Sequence, residues 1–168
     1  MVETITANLI MALTVSQVLD STNTPASSSV VQHNAWNKDI SISATASSSV
    51  PEAVTKCAAF TKALSSGSAT IDLTALTGTN GATVDFSTLK VQAAYFENPS
   101  TNANNITVTF GASNGYLLAG TAWKVILAPG QAFLFRGYEA TPDVGSSAKN
   151  IDLSGTAAQT LRCVLIAG

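Results

Sequence analysis

Between Ser68 and Ser113 the chain reads SATIDLTALTGTNGATVDFSTLKVQAAYFENPSTNANNITVTFGAS, with apolar residues on every second position. Ala69, Ile71, Leu73 and Ala75 make one run, Leu89, Val91, Ala93 and Tyr95 a second, and Ile106, Val108 and Phe110 a third. Gly78-Thr79-Asn80-Gly81 and Asn98-Pro99-Ser100-Thr101-Asn102 separate them. Period-two alternation cut by Gly, Asn and Pro predicts half-buried antiparallel strands joined by turns.

The same pattern extends in both directions. Ile5, Ala7, Leu9, Met11, Leu13 and Val15 alternate with polar or small residues, apart from Ile10, so residues 4–19 read as one long strand or arm. Glu3 comes early and no positive n-region precedes the apolar residues, which argues for an arm of the mature protein and against a signal peptide. Residues 20–31 form a polar connection, and Ile40, Ile42, Ala44 and Ala46 alternate with Ser41, Ser43 and Thr45. Val54–Leu64 fits a strand or a short helix. A strand is preferred, because Ser65-Ser66-Gly67-Ser68 then closes a hairpin to Ala69–Ala75. Ala128-Pro129-Gly130-Gln131 has Pro and Gly where a type II turn wants them, so AWKVILAPGQAFLFR reads as a hairpin bringing Trp123, Phe133 and Phe135 to a common core. Leu161–Ala167 is apolar on both faces, as a central or covered strand is. Ile71-Asp72-Leu73 is echoed by Ile151-Asp152-Leu153, either by chance or as equivalent strands of two halves.

Eight to ten strands in 168 residues predict an all-β fold, an antiparallel β-sandwich of jelly-roll or related Greek-key type, with an immunoglobulin-like topology second. The expected organisation is an N-terminal arm with the first strands in residues 1–50 and a sandwich body in 51–168, together one domain.

Charged residues are only 11% of the chain and the net charge is −2, where about 25% charged is usual. So neutral an exterior does little to keep copies apart, and a surface covered by copies of itself accounts for it better than an unusually neutral monomer. Eight Lys and Arg, dispersed along the chain, argue against nucleic acid. No apolar run reaches the roughly 18 residues of a membrane span.

Catalytic and metal chemistry find little to work with. His33 is the one histidine, in Gln32-His33-Asn34-Ala35-Trp36, and there is neither a GxSxG elbow nor a CxxC pair around which to build a triad or a zinc site. Cys57 and Cys163 sit in apolar runs, as two buried thiols or as one disulfide across the sandwich. Asp72, Asp85 and Asp152 fall on polar strand faces, where solvated or cross-strand roles outweigh a paired-carboxylate site. Asn and Asp in loops 77–85 and 98–105 suit turn geometry better than calcium. Trp36, Tyr95, Tyr116, Trp123 and Tyr138 could line a sugar platform, with Trp36 and Tyr138 in loop-like stretches the better candidates, but aromatics of a sandwich more often belong to core or interface. No catalytic, cofactor-binding or metal residue is therefore assigned.

At IDLTALTGTNGATVDFSTLKVQAAYFENPSTNANNITV, LAPGQAFLF and NIDLSGTAAQTLRCVLIAG the chain resembles a group of small, uncharacterised virion structural proteins of tailed bacteriophages, over roughly its last two-thirds. The resemblance implies a β-sandwich subunit that decorates a head or belongs to a tail or fibre. It also implies copies of itself and other virion proteins as partners, a virion location and no catalytic or binding residues. An extracellular self-assembling fibre or tube subunit, or a carbohydrate- or cell-surface-binding module, is the alternative.

Overall fold

The structure, a computed structural model, describes residues 54–137 and 141–168 in full and residues 6–13, 16–18, 30–32 and 36–43 as strands. In chain order the strands are β1 (Thr6–Leu13), β2 (Ser16–Val18), β3 (Val30–Gln32), β4 (Trp36–Ser43), β5 (Lys56–Ala63), β6 (Ser68–Asp72) and β7 (Leu76–Thr77). After these come β8 (Thr83–Val84), β9 (Val91–Glu97), β10 (Ile106–Phe110), β11 (Lys124–Leu127), β12 (Ala132–Arg136), β13 (Asn150–Ser154) and β14 (Thr160–Ala167).

Eight of these build two four-stranded antiparallel sheets, β12-β9-β14-β5 and β11-β10-β13-β6. Their pairing is nested. The first of the eight lies beside the last (β5 with β14), the second beside the seventh (β6 with β13), the third beside the sixth (β9 with β12) and the fourth beside the fifth (β10 with β11). A long ribbon doubled over and rolled into two sheets has this order, which is that of a jelly roll and not of an immunoglobulin-like sandwich. One core fills the space between the sheets: Ala94, Phe96, Leu161, Cys163 and Leu165 from one, Ile71, Ile106, Val108, Ile151 and Leu153 from the other. The Ile-Asp-Leu echo falls on neighbouring strands of a single sheet, with Ile71 directly opposite Ile151.

Tyr116, fully buried, ties this core together. Its hydroxyl donates to the Pro142 carbonyl at 2.7 Å and accepts the Val91 N–H at 3.1 Å. Its carbonyl accepts the Trp123 indole N–H at 2.9 Å, and its own N–H donates to the Asn150 carbonyl at 2.8 Å. Burial raises the hydroxyl's pKa, so it stays a neutral donor.

Several expectations need correction. Both sharp turns exist, but neither closes a hairpin ladder. Ser65 and Ser68 exchange backbone hydrogen bonds around Ser66 (φ 50°) and Gly67 (φ 81°), after which β5 and β6 part into different sheets. Gln131 N–H donates to the Ala128 carbonyl at 2.9 Å around Gly130 (φ 82°), and β11 and β12 likewise part. Doubling the ribbon over requires these connections to cross from sheet to sheet. The strand from Ala69 ends at Asp72, because the Asp72 carboxylate accepts both the N–H and the hydroxyl of Thr74 and turns the chain there. In β9 the run Val91, Ala93, Tyr95 does not keep to one face: Val91 lies in the main core, but Ala93 and Tyr95 do not. Ile166 pairs with Ala93 but Ala167 with Val91, so Gln92 is an extra residue. Beyond that bulge Ala94 and Phe96 face the core, while Ala93 and Tyr95 face out.

At the N-terminus, the described part of residues 4–19 is the strands β1 and β2, and the rest of that stretch lies outside the described residues. β1 pairs antiparallel with β4 from Thr6↔Ser43 to Leu13↔Trp36, and β2 pairs with β3 from Ser16↔Gln32 to Val18↔Val30. The expected arm is thus one side of a hairpin within the chain, and Trp36 opens a strand instead of lying in a loop.

Candidate self-association surface

The two sheets of the sandwich turn very different faces outward. On β11-β10-β13-β6 the outward cross-strand rows are Ile126–Thr107–Ser154–Ser68 and Lys124–Thr109–Asp152–Thr70. Apart from Ile126, this face consists of hydroxyls and charges, and the Thr70 hydroxyl donates to Asp152 at 2.7 Å. Such a face is well served by water.

On β12-β9-β14-β5 the outward rows are Leu134–Tyr95–Val164–Ala59 and Arg136–Ala93–Ile166–Cys57. Seven of these eight residues are apolar or weakly polar. Ala93 and Ile166 are already buried, together with Val54, in a small cluster against Cys57. Leu134, Tyr95, Val164 and Ala59 keep part of their surface open. A third row, Ala132–Glu97–Arg162–Thr61, closes one end with a polar rim. There the Arg162 guanidinium lies 3.0 Å from Glu97, and the Tyr95 hydroxyl donates to the same carboxylate at 3.0 Å. Partial burial, then the Glu97 bond, raises the Tyr95 pKa. An apolar centre with a polar edge is the anatomy of an association patch.

The residues weighed for chemistry are scattered and already engaged. Asp72 bridges to Lys149 at 2.7 Å and caps Thr74. Asp85 accepts the Ser87 N–H and hydroxyl in a turn, not on a strand, and these bonds hold its carboxyl below the usual range. Asp152 also accepts the Ala112 N–H at 2.8 Å. Tyr116 and Trp123 are core residues and are lost to any sugar platform. Tyr138 and His33 lie outside the described residues. Cys57 lies on the outer face and Cys163 in the core, three register positions apart on neighbouring strands, and no disulfide joins them. Among the described residues no group of three or more His, Cys, Asp or Glu converges on a point that could hold a metal ion, and no helix is long and apolar enough to cross a membrane. The outer-face patch escapes sequence reading because membership of a sheet, which brings its rows together, is not encoded locally.

No protein-family model matches the chain, and comparison with curated proteins finds no match. A solved structure described as "Bacillus endospore appendages form a novel family of disulfide-linked pili" is similar, at 19% identity and a TM-score of 0.41, over 67% of this chain and 83% of that one. A likeness of that size transfers no function.

Proposed function

We propose that the protein is a non-enzymatic structural subunit that associates with copies of itself. The observation that carries this reading is the contrast between the two outer faces of one sandwich, hydroxyl-rich on β11-β10-β13-β6 and apolar on β12-β9-β14-β5. A chain with 11% charged residues has little repulsion to set against that apolar patch. The resemblance to tailed-phage virion proteins supports a place in a phage particle, with other virion proteins as neighbours, and an extracellular fibre or tube is the alternative setting.

Light scattering on purified protein at physiological salt tests self-association, and electron microscopy of the native source separates the two settings. Oligomers growing with concentration, seen as a repeating lattice, ring or tube, are the expected result. A monomer at every concentration that stays soluble overturns the reading.

A further inference from the structure

We infer that two copies of the chain join face to face through the outer face of β12-β9-β14-β5, about a two-fold axis that runs between β9 and β14 and close to parallel with them. This rests on the self-association reading and deepens it by naming the facing residues and the symmetry.

Charge decides the orientation. Glu97 on β9 and Arg162 on β14 are neighbours in one outward row, 3.0 Å apart, and the arginine side chain is 61% exposed. β9 (VQAAYFE) holds no cation and β14 (TLRCVLIA) no anion. A two-fold axis across the strands would lay each strand over its own copy, so Glu97 and Arg162 would each meet an uncharged residue or their own like. An axis along the strands exchanges β9 with β14 and keeps every row at its own height. Glu97 of each copy then faces Arg162 of the other, and the two ion pairs close into a ring of four alternating charges.

The same axis sets large side chains against small ones. In the half-buried central row Leu134 faces Ala59 and Tyr95 faces Val164. In the next row, which packs with Val54, Ala93 faces Ile166 and Arg136 faces Cys57. Arg136 lies on the edge strand β12, so the axis puts its two copies above opposite edges of the sheet. That separates them by about 14 Å, three strand spacings, beyond the screening length of about 8 Å at physiological salt. Apolar burial in the central row supplies the affinity, and the charges of the rim fix the orientation. Because the same face is used on both sides, the contact is isologous and closes on two copies. A larger assembly therefore grows from these pairs through separate surfaces.

The test reverses one charge at a time in the full-length protein, with Glu97→Arg and Arg162→Glu. Size-exclusion chromatography with light scattering reads association, native mass spectrometry tells mixed from like pairs, and circular dichroism checks folding. Alone, Glu97→Arg sets four cations on the facing rims and Arg162→Glu four anions. Each is expected to dimerise at least about ten-fold more weakly than wild type. Mixed in equal amounts, the two variants restore opposite charges across the axis and are expected to form one-to-one pairs. The double variant, which exchanges the two charges, is expected to dimerise like wild type. Leu134→Glu and Ala59→Lys, which face each other on the edge strands, give a second pair for the same mixing experiment should Glu97→Arg fail to fold. Single variants that dimerise as tightly as wild type, or weakened ones that ignore each other when mixed, overturn the two-fold contact and leave self-association standing. A wild type that is monomeric at every soluble concentration overturns self-association itself.

Discussion

Gly67, in the β5–β6 turn, and Ala157, in the β13–β14 connection, meet and call for opposite substitutions. The Gly67 N–H donates to the Ala157 carbonyl at 3.1 Å, and the Gly155 N–H donates to the Gly67 carbonyl at 2.8 Å. Gly67 has φ 81°, and a Cβ there would meet the Gly155 carbonyl oxygen at 2.7 Å. Gly67→Ala is expected to destabilise by roughly 1–3 kcal/mol, through backbone strain and a clash that only backbone movement relieves. Ala157 is exposed and holds φ 53° with a side chain that disfavours it. Ala157→Gly is expected to stabilise by roughly 0.5–1 kcal/mol, because relief of strain exceeds the added freedom of the unfolded chain. Urea unfolding of both variants reads the two signs. Asp72 adds a pH-dependent contribution. Burial pushes its carboxyl up, but the bonds from Lys149 and Thr74 outweigh that and leave its pKa lowered from 3.8. The stability it supplies is therefore complete above the unfolded value and fades as pH falls through the lower folded one. Asp72→Asn is expected to cost roughly 1 kcal/mol at neutral pH, a modest figure because the group is partly exposed, and the cost is expected to shrink as pH falls through the lowered folded value. Equilibrium unfolding at several pH values checks this. Burial also pushes the Cys163 thiol up to about 12. Iodoacetamide is thus expected to label it only on unfolding, and native-state labelling read by mass spectrometry would contradict its place in the core.

β9 shows how far elements are legible in the sequence. Its strand character is plain from alternation, its orientation is not. Ala93 and Tyr95 are apolar, but so are Ala94 and Phe96, and the bulge at Gln92, just after the core residue Val91, decides which pair meets the core. A bulge is fixed by pairing with β14, far along the chain, and leaves no mark within β9 itself. The turns at Ser66-Gly67 and Pro129-Gly130 are legible for the opposite reason, since positive φ is a local demand that glycine meets locally. Whether the chain then enters a ladder or crosses between sheets depends on distant partners. Phe96→Ala and Tyr95→Ala, neighbours in one strand, test the assignment of faces. Phe96 is fully buried, so its truncation is expected to cost roughly 3–5 kcal/mol whatever the state of assembly. Tyr95→Ala is expected to change monomer stability far less and to weaken self-association, a split that denaturation and light scattering measure separately.

At the scale of the whole molecule the jelly roll turns its apolar residues in two directions, into the core and onto one outer sheet face. The scarcity of charge is legible from composition, but composition cannot say where the neutral surface gathers. Folding the ribbon double gathers it, by placing β14 and β9, each apolar on both sides, at the centre of one sheet. That origin has a thermodynamic consequence. An interface joined by ion pairs loosens as salt screens it, whereas one joined by apolar burial does not, and sulfate strengthens it by exclusion from the protein surface. Self-association is accordingly expected to hold or tighten as sodium chloride rises from ~0.05 to ~1 M, to tighten further in sulfate, and to weaken on cooling because apolar burial loses its entropic drive. Sedimentation velocity across these conditions measures all three. A loss of about ten-fold or more in affinity with rising chloride would locate the contact at the Glu97–Arg162 rim and its neighbours instead of the rows of Val164 and Ile166.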